Sequence, residues 1–196
     1  MRISKSRNRH RQIAYTVELS EYDAEPPTRT WLLDELPDKV NPELEAVALY
    51  LIFGPWCGGE FIVPQKMGPN TASAISRHTG IDFFAGPIEF YPKPIFRGSQ
   101  AITLKESLDG MGPSTLVLLS SSEWSGSLKS TSGLVLSTNT ELFVDPKFSL
   151  GTRLAPAVLL AEELNLAEIE YACRPGERTA ELAELLRQVG IRLRLD

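Results

Sequence analysis

The chain has 196 residues, of which 42% are hydrophobic, and a formal net charge of -5. Its length fits one large domain or two small ones, and its composition is that of a globular protein with a buried core. The negative charge argues against a surface built throughout to coat nucleic acid or an anionic membrane. Two cysteines, Cys57 and Cys173, are too few for a disulfide framework and lack the spacing of a structural zinc site, which favours a reducing, cytoplasmic setting. The apolar runs are far shorter than the roughly 20 residues of a membrane span, so we expect no membrane partner.

The first 12 residues are predicted to form a basic arm. Its charged residues are Arg2, Lys5, Arg7, Arg9 and Arg11. Such a segment is typical of a solvated or flexible terminus. The alternative is an arm that contacts phosphate or an acidic partner, which would make nucleic acid a possible partner.

Residues 13–112 are predicted to form a mixed α+β region. The alternating, β-branched run at 13–19 predicts a first strand, and 31–33 favours a short helical turn. Asn41 and Pro42 are typical of a helix start. The apolar run that follows suits a buried strand as well as a buried helix, and we predict a helix over 42–53.

Two further features stand out in the same region. A helix is predicted to end at His78, with Gly80 just past its end. Between 81 and 104, aromatic residues alternate with prolines and glycines, which indicates short strands. The aromatic side chains near Lys93 and Arg97 are expected to fill the core; the alternative is that they stack on bases, as in proteins that bind single strands.

Residues 113–196 are predicted to form a Rossmann-like α/β region with a mostly parallel sheet. The alternative is that this region and the preceding one form one continuous domain. Strands are expected at 115–119, 142–144, 169–173 and 191–195, and helices at 154–164 and 179–189. Strands separated by helices imply crossover connections, which join parallel strands. A parallel sheet places ligands at the carboxyl ends of its strands.

The candidate site follows from placing 115–119 beside 142–144, so that the loops after them meet at one sheet edge. Helix-start donors, hydroxyls and basic side chains suit a phosphate group. The predicted ligand-binding residues are Ser120, Ser121, Lys147, Ser149, Gly151, Thr152 and Arg153. They predict a domain that binds a nucleotide or other phosphorylated ligand, as a sensor or a nucleotide-processing domain, with catalysis and cofactor left open.

The stretch Ser149-Leu-Gly-Thr-Arg-Leu-Ala155, a small-residue loop that opens a helix, resembles the ligand loop of CARF and SAVED sensor domains. That resemblance implies a cyclic-nucleotide ligand. It covers only the last third of the chain.

Two other functions are compatible with the sequence. Asp145 and Lys147 have the spacing of a PD-(D/E)xK nuclease core, with Glu141 or Glu123 as a second magnesium ligand. The apolar stripe of the last helix could instead dock a protein partner, which would make the chain a non-catalytic subunit or adaptor of a complex.

Overall fold

The computed structural model describes residues 1–7, 12–34, 40–130, 133–144, 149–173 and 178–195. The strands are β1 Arg2–Arg7, β2 Gln12–Glu18, β3 Thr30–Asp34, β4 Glu60–Met67, β5 Phe84–Ile88, β6 Gln100–Lys105, β7 Thr115–Ser120, β8 Ser127–Ser130, β9 Gly133–Thr138, β10 Leu166–Tyr171 and β11 Arg192–Leu195. The helices are α1 Pro42–Phe53, α2 Pro69–Thr79, α3 Ser149–Leu159 and α4 Thr179–Gln188, with 3-10 turns at Gly54–Trp56 and Thr140–Phe143. The fold is therefore a mixed α/β architecture.

The strands form one 11-stranded sheet in the order β11-β10-β6-β7-β9-β3-β2-β1-β4-β5, with β8 paired to β9. The five strands from β11 to β9 are parallel to one another. At the other end, β1, β2 and β3 form an antiparallel meander, while β4 and β5 run parallel to β1. The prediction of a mostly parallel sheet in the C-terminal part and a mixed N-terminal part is confirmed at this level.

The two halves of the chain repeat one strand order. If β8 is set aside, each half has five strands. When these are numbered along the chain, their order in the sheet is 3-2-1-4-5 in both halves, and the third strands of the two halves, β3 and β9, are neighbours. In both halves one helix follows the third strand and another follows the fourth. The halves differ at their second strand, because β2 is antiparallel to its neighbours and β7 is parallel to its own.

A single hydrophobic core lies between the helices and one face of the sheet. Helix α1 is buried over nearly its whole length and packs on α3 and β4. Helix α4 contributes Leu182, Leu185 and Leu186 to that core, and Val189 directly after it does so too, so the apolar stripe of the last helix is used inside the fold. Within the described part of the chain, no helix has the length and apolar character needed to cross a bilayer.

Several predicted elements are confirmed. Helix α1 spans the predicted residues, and the Asn41 side chain accepts a hydrogen bond from the Glu43 N–H as its N-cap. Helix α2 ends next to Gly80, which has the left-handed φ of 72° expected past a helix end. Helix α4 and strands β2, β7, β10 and β11 lie within a few residues of their predicted bounds.

Other elements differ from the prediction. The start of the basic arm is β1, an inner strand between β2 and β4, rather than a solvated terminus. Residues 31–33 belong to β3 instead of a helical turn, because Trp31 and Leu33 alternate inward against the core. Residues 142–144 are not a strand, since most of them lie in the 3-10 turn after β9.

Candidate functional site

The carboxyl ends of β6 and β10 carry a charged cluster formed by Arg153, Glu106 and Tyr171. Arg153 lies on α3, and its Nη1 donates to Oε1 of Glu106, the residue that directly follows β6. Tyr171 is the last residue of β10 and contacts the same guanidinium. The Arg153 and Glu106 side chains remain 32% and 44% exposed, so both groups are accessible to a ligand.

Burial and the charge of Glu106 affect the pKa values of Arg153 and Tyr171. Burial alone would lower the pKa of Arg153, but its hydrogen bond and charge interaction with Glu106 raise that pKa. Burial, and then the charge of Glu106, raise the pKa of Tyr171. At neutral pH the site therefore presents a fixed cation, paired with a carboxylate, beside a neutral phenol.

A second polar group lies at the end of β7, the strand on the other side of β6. The Ser120 hydroxyl donates to Glu141 Oε1 at 2.5 Å and lies 2.7 Å from the Ser122 hydroxyl. The Ser121 N–H donates to the Thr138 carbonyl at 2.8 Å, at the end of β9. These contacts show that the loops after β7 and β9 meet at the sheet edge. The neighbour of β7 is β9, however, and not residues 142–144 as expected.

Three further predicted site residues, Thr152, Gly151 and Ser149, lie at the start of α3 and are buried or partly buried. Thr152 is fully buried, and its hydroxyl donates to the Leu51 carbonyl of α1 at 3.3 Å. A Cβ added at Gly151 would lie 3.0 Å from Leu51 Cδ2, so this glycine allows α1 and α3 to approach closely. Ser149, the first residue of α3, is partly buried.

Two residues of the sequence-based proposals, Asp145 and Lys147, lie outside the described residues. Within the described ranges, no group of three or more His, Cys, Asp or Glu side chains could hold a metal ion. The role of residues 145 and 147 in a nuclease centre therefore stays a prediction.

The sequence reasoning did not find Glu106 or Tyr171. Glu106 follows β6 and Tyr171 ends β10, and these two strands are neighbours in the sheet. Along the chain, however, they are separated by about 60 residues and three intervening strands. A polar residue directly after an apolar strand was the available signal. It could not be used without the strand order.

The site offers one guanidinium and the hydroxyls of Ser120, Ser122 and Tyr171 at one sheet edge, a set of groups that binds phosphate oxygens. No family model matches the chain, and no curated protein or solved structure was found to be similar to it.

Proposed function

We propose that the chain binds a nucleotide or another phosphorylated ligand at the carboxyl edge of the parallel half-sheet, with Arg153 as the cation that holds the phosphate. The observation that carries the proposal is the position of the exposed Arg153–Glu106 pair between the ends of β6 and β10. In this half the chain moves from β6 through β7 to β9, and α3 then returns it to the opposite side of β6. Ligands of open α/β sheets bind where the chain reverses direction in this way.

The strand order β9-β7-β6-β10-β11 is compatible with a Rossmann-like half-sheet, which supports the same proposal. The connections from β6 to β7 and across 121–130 contain no helix, so the half is covered by helices on one face only.

Binding would proceed by exchange of partners. A phosphate oxygen replaces the Glu106 carboxylate at Arg153, and the hydroxyls of Ser120 and Tyr171 donate to the remaining oxygens. Charge-assisted hydrogen bonds of this kind are about twice as strong as neutral ones. Release of Glu106 into water limits the net gain, so Glu106 opposes binding.

A thermal-shift screen against mononucleotides, cyclic oligonucleotides, sugar phosphates and divalent metals tests the proposal. A ligand present at 100 times its dissociation constant stabilises a fold by about 2.7 kcal/mol. Arg153→Ala should abolish the shift caused by phosphorylated ligands. The matched control is Arg187→Ala, which removes an exposed arginine paired with Glu184 on α4 and should keep the shift.

The two alternatives predict other results in the same screen. Stabilisation by magnesium or manganese alone would favour the nuclease, whose predicted residues Asp145 and Lys147 precede α3 in the sequence. No stabilisation by any ligand would favour the adaptor.

A further inference from the structure

The N-terminal half of the sheet contains a cavity at the matching end of its own strands. It has a volume of about 310 Å³ and lies between the start of α1, the end of β4 and the segment that follows β5. Like the Arg153 cluster, the cavity uses the start of the helix after the third strand and the end of the fourth strand, but its remaining wall follows the fifth strand, whereas Glu106 follows the first. The two positions lie at opposite edges of the sheet, since the third strands of the halves are antiparallel.

The positive charges in the cavity come from two lysines. Lys66 at the end of β4 and Lys93 in the segment after β5 both line it and are exposed. Neither ammonium group has an ion-pair or hydrogen-bond partner in the part of the chain that the structure describes. The nearby carboxylates accept hydrogen bonds from backbone N–H groups instead of pairing with the lysines. Glu43 Oε1 accepts from the Gly68 N–H at 2.8 Å, and Glu89 Oε1 accepts from the Tyr91 N–H at 3.2 Å.

An exposed aromatic side chain lies at the same cavity. Tyr91 lines it and is 92% exposed, and the preceding Phe90 is 77% exposed. The sequence favoured core filling for the aromatic residues of this segment. That expectation is wrong for Phe90 and Tyr91, whereas Phe96 packs against the core. Large rings that are left in water beside unpaired cations indicate a surface that a planar, anionic ligand can cover.

We propose that this cavity binds one nucleotide unit, with its base stacked on Tyr91 and its phosphate between Lys66 and Lys93. The site goes beyond the one at Arg153 and does not depend on it. Base stacking on an aromatic ring tolerates any base, and lysines beside such rings follow the phosphate backbone in proteins that bind single strands.

The carboxylates in the cavity argue for a nucleotide over a simple anion. Glu43 and Glu89 both line it and would repel inorganic phosphate or sulfate. Glu43 Oε2 is buried and has no hydrogen-bond partner among the described residues. A base supplies N–H donors to such acceptors as well as a face for the tyrosine ring, which an inorganic anion cannot do.

Fluorescence anisotropy of a labelled single-stranded oligothymidylate tests this site in the full chain. Tyr91→Ala should weaken binding about fivefold or more, the range expected for loss of one stacked base. The double variant Lys66→Ala with Lys93→Ala should weaken it further and reduce its salt dependence. All these residues are exposed, so the variants should fold, which their melting curves would verify.

Matched controls separate the site from general surface effects. Tyr22→Ala removes another exposed tyrosine, and Lys129→Ala removes an exposed lysine paired with Glu163. Both should bind as the wild type does. Equal losses in Tyr22→Ala and Tyr91→Ala, or no binding by the wild type to either the oligonucleotide or mononucleotides, would overturn the proposal.

Competition identifies the source of the nucleotide unit. Displacement of the probe by AMP or TMP supports a site for free nucleotides, and binding of the oligonucleotide alone supports a site for a strand segment. Displacement by inorganic phosphate at the same concentration as by AMP would contradict the role of the base.

Discussion

Leu33 in β3 pairs with Thr138 in β9, and this antiparallel pair joins the two halves of the sheet. The next residue, Asn139, continues the pairing through its side chain. Its Oδ1 accepts from the Leu32 N–H at 2.8 Å, and its Nδ2 donates to the Thr30 carbonyl at 2.9 Å. The amide thus takes the place of a peptide group in the ladder.

Asn139→Ala should therefore lower the free energy of unfolding by about 2 kcal/mol or more, since two hydrogen bonds are lost and two backbone groups of β3 lose their partners. Asn139→Asp keeps the acceptor and should have an intermediate effect. Urea denaturation measures both. Asn70→Ala, at an exposed position of α2, is the control and should change stability by less than about 0.5 kcal/mol.

The helix layer contains a histidine that should make stability depend on pH. His78 Nδ1 lies 2.7 Å from the Tyr50 hydroxyl, and its Nε2 is buried without a partner among the described residues. Burial, and then the charge of Arg178, lower the pKa of His78 to about 4, while Glu181 acts in the opposite direction. The unfolded chain, with a histidine pKa of about 6.5, therefore binds more protons than the folded one between these values.

Stability from this group should be complete above about pH 6.5 and decline as the pH falls to about 4, by roughly 1–3 kcal/mol after allowance for its partial exposure. His78→Gln should remove this part of the pH profile. The measurement is the difference between the two proteins in urea denaturation from pH 7 to pH 4. Parallel profiles would show that the pKa of His78 is the same in the folded and the unfolded chain.

A buried cluster in the N-terminal half should show coupling between its members. Glu45 is fully buried and accepts from Lys5 Nζ at 2.9 Å, from the Tyr15 hydroxyl at 2.7 Å and from Gln65 Nε2 at 2.8 Å. Lys5→Met leaves this carboxylate without its cation and should destabilise the fold by about 2–4 kcal/mol. The double variant with Glu45→Gln should lose less than the sum of the two single variants. Additive losses would mean that the ion pair contributes nothing.

The close approach of Gly190 to Phe96, in the segment between β5 and β6, can be tested with three glycine variants, of which two are controls. Gly190 has a φ of 83°, and a Cβ there would lie 2.2 Å from the Phe96 carbonyl oxygen, so Gly190→Ala should cost about 3 kcal/mol or more. Gly80 has a φ of 72° but open space around it, and its alanine variant should cost about 1 kcal/mol from backbone strain alone. Gly112→Ala meets neither obstacle and should be nearly neutral. Melting temperatures in that order would confirm the close approach at Phe96.

The sequence predicted those elements whose signals are local. Helix α1 follows from the Asn41-Pro42 start, and α4 from an apolar stripe that reaches the core. Strand β4 continues past Pro64 to Met67, because its pairing with β5 shifts register between Ile62 and Met67 and leaves the proline outside the ladder.

Long-range relationships were not predictable in the same way. The pairing of β6 with β10 brings Glu106 and Tyr171 to Arg153, and nothing in the neighbouring sequence specifies that pairing. The repeated strand order was hidden as well, because β1 and β2 form a hairpin-like pair while β6 and β7 are parallel. Arg153 was found from the sequence because it follows the small-residue stretch at 149–152, which was expected to lead into a helix at 154–164. In the structure that stretch is already the start of α3, which spans Ser149–Leu159.

Arg153 is proposed to hold a phosphate against the competition of Glu106. The most direct test is calorimetric titration of the wild type, Arg153→Ala and Glu106→Gln with the nucleotide that gives the largest thermal shift. Arg153→Ala should weaken binding about tenfold or more, the effect of losing hydrogen bonds to a charged group. Glu106→Gln should strengthen binding, because it removes the competing carboxylate while leaving the guanidinium in place. Equal affinity in the wild type and Arg153→Ala, or weaker binding by Glu106→Gln, would contradict the account.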